Sequence, residues 1–419
     1  MHSAILKEAN ILLPDVADMQ KWSVVACDQY TSEPAYWEAV QSFVDGAPST
    51  LSLVFPEIYL EEADADLRIQ TIDRTMDDYV KSGILKETGP CFVYVERTLK
   101  DGRVRKGLVG MVDLEAYDFA PGAKPPVRAT EGTVLERIPP RVKIRKDALL
   151  ELPHVMLLID DAKKTVIEPL AQKKAEFTKL YDFDLMMDSG HIAGYQVSKD
   201  AANAVHSALD ALGDKDAFYK KYGPQTGDVL LFAVGDGNHS LATAKTCYEA
   251  VKAEIGEAAA KKLPCRYALT EVVNLHDAAL EFEPIHRIVF GVCPEDFFAA
   301  LKSFYELMPG ASEKSFTLIL NGKKQDYTIK NPNFNLTVGC IQAFLDDYQK
   351  THDIKVDYIH GADVVESLCG PDTAGILLPG MEKDDLFKTV VLDGVLPRKT
   401  FSMGEACDKR FYLESRKIQ

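Results

Sequence analysis

What this chain lacks narrows its identity first. None of its apolar runs approaches the roughly 18–20 residues that a membrane-spanning helix needs. The first ten residues carry Lys7 and Glu8 and no apolar leader core, so export is not expected and the cytoplasm is the expected compartment. Positive charge is scarce: 48 Lys and Arg against 64 Asp and Glu give a formal charge of −16 over 419 residues. Binding nucleic acid or an anionic membrane takes a concentrated basic surface, so neither is an expected partner. The eight cysteines are scattered, with no CxxC pair and none at zinc-ligand spacing from a histidine pair. Buried reduced thiols are expected instead of a disulfide framework or structural zinc. Neither GxxxxGK[ST] nor GxGxxG occurs, which excludes a P-loop and a dinucleotide fingerprint. No solenoid-period repeat and no low-complexity tract is found.

What remains is a globular composition, 46% apolar and 27% charged, in a chain long enough for two or three domains. Short apolar runs alternate with amphipathic stretches. Strands are expected at Lys21–Cys27, Val155–Ile159, His191–Val197 and Asp228–Val234, and a hairpin of Cys91–Glu96 with Gly107–Leu114 around Asp101-Gly102. Helices are expected from Glu33-Pro34, over Ala63–Lys81, near Arg145–Glu151, over Lys199–Leu212 and over Leu241–Ile255. Beyond Asp277 the pattern restarts, with helices at Glu295–Glu306 and Val338–Lys350 and strands at Ser315–Leu320 and Thr373–Leu378. This alternation predicts α/β to α+β architecture with mixed sheets, alternating helices and two or three closely packed subdomains. The expected divisions are 1–120, 121–283 and 284–419, the first at the Ala120–Pro126 breaker cluster (APGAKPP).

The segment DVLLFAVGDGNHSLATAK, 228–245, is the most informative. An apolar strand runs into Gly235-Asp236-Gly237-Asn238-His239-Ser240 and then directly into a helix. Glycines permit a sharp turn and a close backbone approach, while the free N–H groups of a helix start attract an anion. Asn238 or Ser240 is a candidate cap. Asp236 suits a metal ion beside phosphates or a substrate hydroxyl, and His239 suits a phosphate donor or a base. Capping chemistry alone also explains Gly, Asp, Asn and Ser here, so that reading stands beside the functional one. Upstream, Arg128, Arg137, Arg141, Lys143 and Arg145 gather within 18 residues around Glu131 and Thr133. Such a cluster suits phosphate or carboxylate recognition, with Glu131 as base or metal ligand; a solvated basic loop is the alternative. Asp28, after a strand at Cys27, is either a ligand residue at a strand end or the start of a turn. His286-Arg287 and Arg398-Lys399-Thr400 each follow a proline that holds the backbone extended. His154, His191, His276 and His360 have no second ligand at metal spacing and are read as structural or surface residues.

Four blocks in order resemble the bacterial family called domain of unknown function 1015. Asp236, Gly237 and His239, with Ala242, Thr243 and Ala244, match its ADGHHRYxTA signature. Arg128–Arg145 followed by Pro153–Asp161, Pro284–Arg287 (PIHR) and Pro397–Thr400 (PRKT) are similar to its other blocks. Asn238 stands where that family has its first His, and Ser240 where it has Arg. The guanidinium that would clamp a phosphate is therefore expected from elsewhere, with the 128–145 arginines the natural source. The family's DGHHR turn is similar to the phosphate-binding turn of the free serine kinases, in the ParB and sulfiredoxin superfamily. The resemblance implies a nucleotide (ATP or ADP), Mg²⁺, and phosphoryl transfer to a small hydroxyl-bearing, serine-like metabolite. On that basis Asp236, His239 and Glu131 are candidates for the chemistry, and Asp236 for the metal. Gly237, Asn238, Ser240, Arg128, Arg141 and Arg145 are candidates for phosphate, and His286, Arg287, Lys399 and Asp28 for substrate. A non-catalytic sensor of a phosphorylated or anionic metabolite is the alternative.

Overall fold

Most of the apolar runs before residue 280 become strands of one mixed sheet. The computed structural model describes residues 4–152, 154–223 and 227–419, so Pro153 of the expected Pro153–Asp161 block lies outside the described residues. The sheet contains β1 (Leu6–Lys7), β2 (Val93–Thr98), β3 (Val104–Asp113), β4 (Tyr117–Asp118), β5 (Val127–Ala129), β6 (Met156–Ile159), β7 (Thr178–Asp184), β8 (His191–Gln196), β9 (Phe232–Asp236) and β10 (Tyr267–Asn274). Their order is β7-β8-β2-β3-β10-β6-β9-β5-β4, with β1 beside β3. The pairs β10–β6, β9–β5 and β5–β4 are parallel, whereas β9 runs antiparallel to β6 and β10 to β3. This is the mixed α/β to α+β class expected from the alternation. β6 is buried at every residue, as its unbroken apolar run requires for a strand covered on both faces.

The chain divides into two compact units, residues up to Leu280 with Gly404–Gln419, and Glu281–Met403. Strands from both sides of residue 120 share the large sheet, because β5 follows the APGAKPP loop at once and pairs with both β9 and β4. The breaker cluster is thus a loop within one unit. The last sixteen residues leave the C-terminal region and return to the first unit. There Ala26 N donates to Arg410 O at 3.0 Å and Tyr412 N to Val24 O at 2.8 Å. Two expected elements change as a result. Met19–Trp22 is a short helix capped by Asp18, and the strand-like part of Lys21–Cys27 is the stretch that lies along the returning segment. The helix placed near Arg145–Glu151 runs over Ile138–Arg145, with proline in its first turn where no N–H is needed. Leu150–Glu151 instead pairs with Arg416–Lys417.

The second unit is built on an antiparallel sheet of β11 (Glu283–Phe290), β12 (Leu307–Pro309), β13 (Phe316–Leu320), β14 (Lys323–Ile329), β15 (Lys355–His360), β16 (Thr373–Leu377) and β17 (Phe401–Ser402). Its order is β12-β14-β13-β16-β11-β15, with β17 on β11. The helices Pro294–Phe304 and Thr337–Tyr348 supply apolar residues such as Phe297, Phe344 and Leu345 to its core. Among the described residues no helix is long and apolar enough to cross a membrane, and the cysteines are free thiols.

Candidate functional site

β9 ends at Asp236, and the helix Asn238–Ile255 starts two residues later. Gly237 joins them at φ +77°, and a Cβ there would stand 3.0 Å from Val155 Cα. Both the left-handed backbone and the approach to β6 therefore require glycine. As N-cap, Gly237 has no side chain to offer, and no acidic residue sits in the first helical turn. The first turn keeps its N–H groups and the positive end of the dipole uncapped. Asn238 is not the cap. Its Oδ1 accepts from Thr130 N at 3.2 Å and its Nδ2 donates to Thr130 Oγ1 at 3.4 Å, while that hydroxyl donates to Val234 O at 2.6 Å. The side chain is buried and ties the loop after β5 to the end of β9, turned toward protein rather than toward a ligand.

Around this corner the expected residues separate into three faces. Asp236 Oδ1 accepts from Gly237 N at 2.9 Å, and its Oδ2 lies 3.3 Å from Lys409 Nζ of the returning segment. His239 turns to the 131–137 loop, where its Nε2 accepts from Val134 N at 3.3 Å. Burial, then the Arg141 and Arg137 charges, push its pKa down to about 4. The imidazole is neutral at pH 7 and carries its proton on Nδ1. Glu131 lies partly exposed on the same loop, next to Thr130. Ser240 faces the third way, into a cavity of about 150 Å³ that Arg141, Arg145, His154 and Tyr412 also line.

His154 organises that third face. It is buried, with Nδ1 2.8 Å from Tyr412 Oη, and Nε2 3.4 Å from Asp28 Oδ2 and 3.5 Å from Ser240 Oγ. Tyr412 Oη donates to Cys27 Sγ at 3.0 Å and accepts from Cys27 N at 3.2 Å. With its one proton committed there, the tyrosine oxygen accepts a hydrogen bond from His154 Nδ1–H, and Nε2–H faces the Asp28 carboxylate. That pattern describes an imidazolium. Burial works against the charge, but the Asp28 carboxylate outweighs it and raises the His154 pKa. Burial likewise opposes ionised Asp28, and the His154 charge nevertheless holds its carboxyl below the usual range. Cys27 is the reverse case: burial, reinforced by Asp28, pushes its thiol up to about 12 and keeps it protonated.

The arginines divide as sharply. Arg141 pairs with Glu57, whose pKa burial raises against the pull of that guanidinium, and it donates to Arg137 O at 2.8 Å. Arg145 pairs with Glu151, which also accepts from Leu269 N at 2.8 Å and Arg416 Nε at 2.9 Å. Arg128 does not reach the corner. Its guanidinium is buried at the opposite end of β5 and donates to Pro125 O at 2.8 Å, to Lys124 O at 3.2 Å and to Asp228 O. In the second unit, Arg287 is fully buried and donates to Lys399 O at 2.9 Å and Arg398 O at 3.1 Å. His286 Nδ1 accepts from Leu378 N at 3.1 Å. The PIHR and PRKT blocks thus meet as a side-chain clasp on backbone carbonyls, with the Lys399 side chain exposed and its φ at +55°.

Sequence reasoning passed over Glu57, Lys409 and Tyr412, took Cys27 only as a strand end and read His154 as a structural or surface residue. Cys27 carried the one usable signal, being next to Asp28 at the end of an apolar run; the others have no spacing cue. Among the described residues no group of three or more His, Cys, Asp or Glu could hold a metal ion. A resident metal cage is therefore not built into the corner. Asp236 offers a single carboxylate, the donor set of a Mg²⁺ that keeps its waters and arrives on phosphates.

Fold and corner together define a mixed α/β protein whose strand–turn–helix corner adjoins a small cavity. The chain belongs to the family described as a protein of unknown function, DUF1015, whose model matches residues 13–348. Lys409 and Tyr412 lie beyond the matched stretch. No curated protein matches the chain. Among solved structures, a conserved hypothetical protein from Pyrococcus furiosus is 10% identical over 74% of this chain and 94% of its own, with a TM-score of 0.36. C-terminally truncated SbnI from Staphylococcus aureus is 9% identical over 73% and 85%, with a TM-score of 0.38. A free serine kinase variant in complex with ADP is 11% identical over 76% and 93%, with a TM-score of 0.39. Likenesses this weak carry no argument about the chemistry of this chain.

Proposed function

We propose that this chain transfers a phosphoryl group from ATP or ADP, with Mg²⁺, to a small hydroxyl-bearing metabolite in the cytoplasm. The observation that carries the reading is the uncapped first turn of the helix Asn238–Ile255, set where the parallel strands β5 and β9 end and beside a cavity lined by His154, the partner of Asp28. The carboxyl ends of parallel strands are where α/β sheets bind ligands. Transfer of a phosphoryl group needs its charge neutralised and the accepting hydroxyl aligned, which is positioning rather than covalent chemistry.

In this reading the amides of Asn238–Ser240 receive phosphate oxygens. Lys409 and Arg141 exchange their carboxylate partners for them. A nucleotide would supply the transferable phosphoryl group, and Asp236 would hold the Mg²⁺ that accompanies it. Glu131 and Asp28 are the candidates for receiving the hydroxyl proton. Neutral His239 donates through Nδ1. The serine-like acceptor rests on the resemblance of the family's turn to that of the free serine kinases. Incubation with γ-labelled ATP, β-labelled ADP and Mg²⁺ across a panel of alcohols, hydroxy acids and hydroxy amino acids tests the proposal. Label in an acceptor supports it, and no label with any acceptor refutes it.

One observation favours a non-catalytic sensor as the second reading: the cations at the corner are already paired, Lys409 with Asp236, Arg141 with Glu57 and Arg145 with Glu151. Such an arrangement can register an anion by exchange of partners without turnover. Stabilisation by a nucleotide or a phosphorylated metabolite, with no labelled product, would decide for the sensor.

A further inference from the structure

The cavity beside Ser240 has a chemistry of its own. Much of its wall is apolar, from Leu53, Phe55, Met76, Ile144 and Leu152. Leu53, Phe55, Met76 and Leu152 are themselves buried, so these faces are continuous with the folded core. Polar atoms sit on the remaining wall, where Ser240, His154 and Arg141 stand. The charged side chains there have opposite partners: Arg141 with Glu57, Arg145 with Glu151 and His154 with Asp28. The volume is about 150 Å³. A volume of that size is enough for one benzene-sized molecule.

These observations disfavour a serine-sized zwitterion. An ammonium and a carboxylate would have to leave water for a site with extensive apolar faces, which they would leave uncovered. An adenine ring system would bring ring nitrogens and an exocyclic amine that the apolar faces leave unpaired. We infer that the cavity is the acceptor subsite of the proposed transfer and takes a neutral alcohol with an apolar body of about six to eight heavy atoms. Its hydroxyl is held at Ser240 Oγ and His154 Nε2, and its body lies against Leu53, Phe55 and Met76. This inference rests on the phosphoryl-transfer reading and narrows its acceptor class from serine-like to apolar.

The test is a melting-temperature series on the full chain with benzyl alcohol, with L-serine and with ADP–Mg²⁺, each alone and in pairs. Benzyl alcohol at about ten times its Kd should raise the melting temperature by about 2 °C. L-serine should give no shift, and the benzyl alcohol shift should survive saturating ADP. Ala148→Leu, which fills the cavity, should abolish the shift. Met76→Ala, which enlarges it, should move the preference to 2-phenylethanol and keeps the test alive if the first variant does not fold. A serine shift without a benzyl alcohol shift overturns the inference, as does silence from both. Loss of the alcohol shift at saturating ADP overturns it too, because the base then occupies the cavity. An ADP shift with no alcohol shift removes this inference and leaves the phosphoryl-transfer reading standing. An alcohol shift with no ADP shift removes the phosphoryl-transfer reading, and with it the acceptor role, and leaves only an alcohol-binding cavity.

Discussion

Arg141 in the first unit and Arg287 in the second both sit in blocks that resemble family motifs, yet they spend their guanidiniums differently. Arg287 is buried and donates to backbone carbonyls of Ile285, Arg398 and Lys399. Burial pushes its pKa down to about 10. It cannot turn to a ligand without leaving carbonyls unsatisfied. Arg141 faces a single carboxylate at a cavity wall, and a phosphate oxygen can replace that carboxylate. Arg128 belongs with Arg287, although it lies in the same run of basic residues as Arg141. The acceptors a guanidinium already holds, more than its place in a motif, decide what it can do.

Substitutions can break that comparison. The largest effect is expected from Arg287→Met, which strips donors from buried carbonyls and should cost about 3 kcal/mol in denaturant unfolding. It should leave nucleotide affinity unchanged; a loss of affinity without a loss of stability would reverse the assignment. Gly237→Val comes next, at about 2 kcal/mol, because a β-branched residue must adopt φ +77° against Val155. Its nucleotide binding should vanish while the fold persists by circular dichroism. Arg141→Met should invert the Arg287 pattern: about tenfold weaker binding by calorimetry, with about 1 kcal/mol of stability lost.

The smallest effect concerns pH. The folded pKa of His239, about 4, lies below its ordinary 6.5. As pH falls from 6.5 toward 4, the unfolded chain binds a proton that the folded chain does not, so stability is lost across that window. His239→Gln keeps an acceptor for Val134 N and should flatten this slope when unfolding midpoints at pH 7 and pH 5 are compared. His154 runs the other way. Its raised value gives stability that is fully present below 6.5 and is lost as pH rises through the folded value.

Local signals made much of this legible. The helix Lys199–Leu212 was readable because its amphipathic period follows a Ser198 cap, and the β2–β3 hairpin because Asp101-Gly102 marks its turn. The Gly237 turn was readable because a strand ran into it without a spacer. What stayed hidden was long-range. Lys409 and Tyr412 reach the corner from a segment that returns only after the whole second unit, and no local pattern announces a pairing of Val25 with Phe411. His154 looked isolated because its partners, Asp28 and Tyr412, lie far away in sequence. Asn238 fitted a cap by type, but Thr130 claims its side chain.

The central claim is that the corner at Asp236–Ser240 binds phosphate oxygens. Equilibrium dialysis of labelled ADP with Mg²⁺, against the full chain and Gly237→Val, tests it most directly. The account predicts saturable binding by the first and none by a folded second. Equal binding by both, or none by the unaltered chain, would contradict it.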